Sequence, residues 1–93
     1  MDVMNLSEIF ARNLRVRMAT LSFKTSDLYK MTGISKTTIM ALEYGKNKGV
    51  MFETIDKLAV ALECKPEDFF KLNCEWTSKS HTNNWKNEVV KYD

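Results

Sequence analysis

Ninety-three residues, 44% of them hydrophobic, suit one compact domain with a single core. Two cysteines and one histidine give no disulfide framework and no metal-ligand spacing, and no apolar run reaches transmembrane length. The net charge of +2 hides an asymmetry: from Arg12 to Lys48 eight Lys/Arg face two acids, a balance of +6, while from Met51 to Leu72 three Lys face five acids, a balance of −2. A basic half beside an acidic half points to a surface that meets a polyanion. The chain reads as having no secretory leader, so the expectation is a cytoplasmic protein with reduced thiols and no membrane partner. Without a paired nucleophile and base, or a phosphate-cradling glycine loop, it does not read as an enzyme, and neither a cofactor nor a metal is expected.

The first predicted helix covers Ser7 to Thr20, with Asn5 and Glu8 at capping-box spacing and Ser7 as a competing cap. Phe10, Leu14 and Met18 recur at i, i+4 and i+8 and form its buried stripe. Arg12, Arg15 and Arg17 fall off that stripe, and at least one of them is expected in solvent. A loop at Leu21-Ser22-Phe23 leads into a second helix, Thr25 to Met31, whose apolar side is Leu28 and Met31. Thr32-Gly33-Ile34 is a tight turn, because Gly33 accepts positive φ, and Ser35 follows as an N-cap.

The third helix runs from Lys36 to Tyr44, with Gly45 as its C′ residue. Ile34, Ile39 and Leu42 form the apolar side of this segment, which leaves Lys36, Thr37, Met40 and Ala41 outward. Two short helices around such a turn are the layout of a helix-turn-helix, whose second helix offers its N-terminal residues to the DNA major groove. Met40 and Ala41 are out of place on a merely solvated face but suit thymine methyls, and Lys36 suits guanine or phosphate. Lys46 and Lys48 lie in a glycine-containing loop of the kind that meets phosphates. A fourth helix, Phe52 to Leu62, buries Ile55, Leu58, Ala59 and Leu62. Pro66, Glu67 and Asp68 begin a fifth, after which Phe69, Phe70 and Leu72 close the core or a dimer interface. Cys64 is read as a small core residue.

The quoted turn, together with Leu28, Thr38-Ile39, Leu42-Glu43-Tyr44-Gly45-Lys46, Leu58-Ala59 and Pro66 to Phe70, resembles the Cro/repressor-type helix-turn-helix family over residues 8–72. These are the small DNA-binding domains of phage repressors and many bacterial regulators. The resemblance implies an all-α, compact five-helix bundle in residues 1–72, with a polar C-terminal tail in 73–93. It implies double-stranded DNA as the partner, a homodimer on a two-fold operator, and usually repression. It also implies contacts from Lys24, Thr25, Ser35, Lys36, Thr37, Thr38, Met40, Ala41, Tyr44, Lys46 and Lys48. In such domains the first helix lies near the phosphate backbone, which offers Arg15 or Arg17 to it.

Three departures from the family pattern stand out. Thr25 stands where Gln is common and touches a phosphate. Tyr29 stands where Ala is preferred because the two motif helices cross closely, so either the helices spread or the ring swings outward. The loop after the third helix is one residue longer than usual and lacks the frequent Pro. Tyr29, the absence of Gln or Arg at the reading positions and the Trp-bearing tail also fit a second reading. In it the chain is a protein-interaction module, an antirepressor or antitoxin, that keeps the fold. The tail, with Trp76 and Trp85, is either disordered, folded over the core, or paired with a second subunit or another protein.

Overall fold

A computed structural model describes residues 5–72. Its elements in chain order are α1 (Leu6–Leu21), α2 (Thr25–Thr32), α3 (Lys36–Glu43) and α4 (Phe52–Ala61), then a 3-10 turn at Pro66–Phe70. Helix α1 packs on α3 and on the 3-10 turn, α2 packs on α3 and α4, and α4 closes onto the 3-10 turn. No strand occurs among the described residues. Readings that concern Cys74, Trp76, His81 and Trp85 lie outside the described residues.

Four helix boundaries have a local cause. Asn5 caps α1 through the reciprocal bonds of a capping box. Its side chain accepts from the Glu8 N–H at 2.9 Å, and its own N–H donates to Glu8 Oε1 at 3.0 Å. Ser7 is therefore inside the helix, and its hydroxyl donates to the Asn47 carbonyl at 2.8 Å. Ser35 caps α3 by accepting from the Thr38 N–H at 3.2 Å. Gly33 ends α2 in the left-handed region at φ 78°, its N–H donating to the Tyr29 carbonyl at 2.8 Å. Gly45 ends α3 at φ 69° in a Schellman arrangement. The Lys46 N–H reaches back to the Ala41 carbonyl at 2.9 Å and the Gly45 N–H to that of Leu42 at 3.4 Å.

The core joins Phe10, Leu14 and Met18 of α1 with Leu28, Ile39, Leu42, Leu58 and Phe69, all buried. Each fully buried Leu or Phe is worth about 1.5–3 kcal/mol relative to exposure. Phe10 stacks at 4.9 Å on Phe69 and meets Phe70 edge-on at 5.6 Å. Cys64 is buried as expected, and its thiol is pushed up to about 12, first by burial and then by the nearby Asp68 charge.

Two expectations change, for the fifth helix and for Met31, and two open readings narrow, for Leu72 and for Arg17. The fifth helix is a single 3-10 turn. The carbonyls of Phe69 and Lys71, which a longer helix would use, accept instead from the buried Asn13 side chain at 2.9 and 2.8 Å. Leu72, expected to close the core or a dimer interface, is exposed and so does not close the core of this chain. Of the three arginines off the α1 stripe, Arg15 is exposed and Arg17 is not. It is buried, and its guanidinium donates to the carbonyls of Leu62 and Glu63 at 2.8 and 3.0 Å. Met31 is 51% exposed, because the inward line of α2 runs from Leu28 to half-buried Thr32. The Thr32 hydroxyl folds back onto the Leu28 carbonyl at 2.6 Å.

A Cβ built on Gly33 meets nothing within 4 Å, so a substitution there costs backbone strain alone. Gly33→Val is expected to destabilise the domain by about 1–3 kcal/mol, the usual cost of a residue held in a region it resists. Urea denaturation measures this, and an unchanged midpoint would contradict the left-handed turn.

Candidate nucleic-acid interface

Helix α3 is eight residues long and has one buried side, Ile39 and Leu42. Its opposite side is open. Lys36 and Thr37 are exposed, Met40 is 48% exposed, and Ala41 is half-buried behind them. Tyr44 extends this exposed surface past the C-terminal end. No acid lies in the first turn of α3, so the positive end of the helix dipole and the Lys36 ammonium reinforce each other.

Ser35 and Thr38 serve the cap. The Ser35 hydroxyl donates to that of Thr38 at 2.9 Å while it accepts the Thr38 N–H. The first turn of α3 is thereby ordered before anything binds to it. Tyr29 resolves its crowding by turning outward: it is 46% exposed, and the Lys36 ammonium lies 5.7 Å from its ring centre.

The flanks are basic. Lys24, Lys30, Lys36, Lys46 and Lys48 are exposed. The two acids in the same stretch each accept a hydrogen bond within the protein. Asp27 accepts the Lys24 N–H at 2.8 Å at the start of α2. Glu43 accepts the Thr25 hydroxyl at 2.6 Å. Thr25 therefore spends its hydroxyl proton inside the protein. Arg15 donates to the Glu43 carbonyl at 2.5 Å, where its charge also complements the C-terminal end of α3. The bond from Ser7 to Asn47 fastens the loop that carries Lys46 and Lys48 onto α1.

The Thr25–Glu43 and Ser7–Asn47 bonds join residues 18 and 40 positions apart. No local pattern announces such pairs. Among the described residues no group of three or more His, Cys, Asp or Glu could hold a metal ion, and no helix is long and apolar enough to cross a membrane.

A model of the Cro/C1-type helix-turn-helix DNA-binding domain matches residues 13–75, well over half of the chain. The chain belongs to the Cro/C1-type helix-turn-helix family. It is accordingly a DNA-binding domain, with a fold suited to a regulator. The match begins within α1 and takes in both motif helices, α4 and the 3-10 turn. No curated protein and no solved structure matches the chain.

Exposed lysines beside a helix-turn-helix set a salt-dependent affinity. Lys46→Ala and Lys48→Ala are each expected to weaken binding to all duplexes alike and to reduce the slope of log K against log salt by about one unit. Binding titrations from low to moderate salt measure this. Unchanged slopes in both variants would remove the loop from the interface.

Proposed function

We propose that this protein is a sequence-specific transcriptional regulator acting as a cytoplasmic repressor, with α3 as its reading helix. The observation that carries the proposal is the division of α3 into two sides. Ile39 and Leu42 anchor it, while Lys36 and Thr37 stand exposed at its N-terminal end and Met40 one turn further on, beside basic flanks. The short side chains of Thr37 and Ala41 let the helix lie deep in a major groove. Lys36 then meets guanine, and Met40 or Ala41 meets a thymine methyl. Lys24, Lys46 and Lys48 meet phosphates, as does the cap region at Ser35 and Thr38. Tyr44 lies at the far end of the same surface. Thr25 reaches a phosphate only by exchanging its bond to Glu43 for one to DNA.

One α3 reads one half-site, so a two-fold operator calls for a homodimer with half-sites about 34 Å apart. Exposed Leu6, Met51 and Phe52 supply apolar surface outside α3. That surface also favours the second reading, in which the chain engages a partner protein while keeping this fold.

Lys36→Ala is expected to cost about 1–3 kcal/mol on the selected operator and far less on random duplex. Thr37→Ala is expected to shift base preference at one position per half-site without unfolding the domain. Binding selection on randomised duplex, with wild type and both variants, decides the matter. If all three recover one motif with equal affinity, α3 is not the reader. An absence of any shift on the DNA flanking the gene would favour the protein-interaction reading. Sedimentation of the protein–operator complex tests the dimer, and one protomer per operator would contradict it.

A further inference from the structure

The sequence pattern treats Tyr29 as a misfit, and the fold gives it a use. Its ring has swung out of the crossing between α2 and α3 and stands 46% exposed, with the Lys36 ammonium 5.7 Å from its centre. That distance lies within the range where the electron-rich ring face attracts a cation. Lys36 has reason to need such a partner. It is the first residue of α3, where the positive end of the helix dipole repels an ammonium. The first turn of α3 contains no acid to offset that repulsion. A lysine side chain is also long and flexible, so a free Lys36 would sample many directions and discriminate bases poorly.

We propose that Tyr29 is a positioning residue for Lys36: its ring restrains the ammonium at the start of the reading helix and so sharpens discrimination at the base pair that Lys36 meets. The proposal rests on α3 being the DNA reader. Tyr29 and Lys36 lie seven residues apart, on either side of the turn at Gly33, so the rigidity of that turn fixes the distance between ring and backbone. The backbone of Tyr29 is part of the same device, since its carbonyl accepts the Gly33 N–H at 2.8 Å. The restraint is thus present before DNA arrives, and less side-chain freedom is lost on binding.

The test uses the full chain and four proteins: wild type, Tyr29→Ala, Tyr29→Phe and Lys36→Ala. In the free protein, the Lys36 ε-methylene protons should resonate upfield of ordinary lysines under the ring, keep that shift in Tyr29→Phe, and lose it in Tyr29→Ala. In binding selection on randomised duplex, Tyr29→Ala should lower the preference at the Lys36 base pair by about two- to fivefold, the worth of an exposed cation–π contact. Preferences elsewhere, the affinity for random duplex and the melting temperature should stay as in wild type. Tyr29→Phe should behave as wild type.

Wild-type discrimination in Tyr29→Ala would overturn the proposal while leaving α3 as the reader. A loss in Tyr29→Phe as large as in Tyr29→Ala would also overturn it, because the hydroxyl would then be touching DNA itself. A uniform loss on all sequences would make Tyr29 an affinity contact and reject the positioning role. If Lys36→Ala selects the wild-type motif with wild-type affinity, α3 does not read through Lys36, and the proposal falls with that reading.

Discussion

Two adjacent rows along α1 hold the domain together. One row, Phe10, Leu14 and Met18, is apolar and buried against the rest of the core. The next row, Ile9, Asn13 and Arg17, is equally buried, yet two of its three members are polar. Asn13 donates to the carbonyls of Phe69 and Lys71, and Arg17 to those of Leu62 and Glu63. These acceptors lie in segments where regular helix has ended, and buried backbone carbonyls left unpaired are costly. The polar row therefore ties the C-terminal turns to α1 while the apolar row supplies the hydrophobic gain. Loss of either would loosen the platform on which α3 rests, since α1 packs directly on α3.

With α3 anchored from behind, its exposed side is available for recognition. The charge of that region follows from which charged groups reach the surface. Arg12 donates to the Leu72 carbonyl, Arg17 is buried, and Arg15 reaches the end of α3. The five exposed lysines and exposed Arg15 outnumber Asp27 and Glu43, the two acids of the same stretch, so the outward field is positive although both carboxylates keep their charge. A chain with a net charge of only +2 thus presents a basic stretch around a helix with short side chains at Thr37 and Ala41. The same arrangement explains why the cap pair Ser35–Thr38 matters: it orders the first turn of α3, where Lys36 and Thr37 stand.

Much of this was legible in the sequence, and the reason is locality. The stripe Phe10–Leu14–Met18, the inward Ile39 and Leu42, the turn at Gly33 and the caps Asn5 and Ser35 follow from spacings of four residues or fewer. What escaped was decided by distant parts of the chain. Arg17 looks like a surface arginine until its partners, 45 and 46 residues away, are seen. Asn13 captures carbonyls 56 and 58 residues away and thereby helps to end the expected fifth helix after one 3-10 turn. Met31 satisfies helical spacing with Leu28, but α2 is two turns long and lies against its neighbours along the Leu28–Thr32 line. At the interface, the outward side of α3 was legible from its apolar pattern. The outward turn of Tyr29 was foreseen as one of two outcomes, and the Thr25–Glu43 bond left no trace in the sequence.

The central claim is that DNA is met by the N-terminal side of α3 with its basic flanks. Backbone amide shifts recorded while duplex operator DNA is added to the isotopically labelled protein test this most directly. The largest changes are expected from Ser35 to Ala41, with further changes at Lys24, Thr25 and Lys46 to Lys48, and little at Leu6, Phe52 or Phe70. Changes concentrated at Leu6, Phe52 and Phe70, with α3 unmoved, would contradict the account.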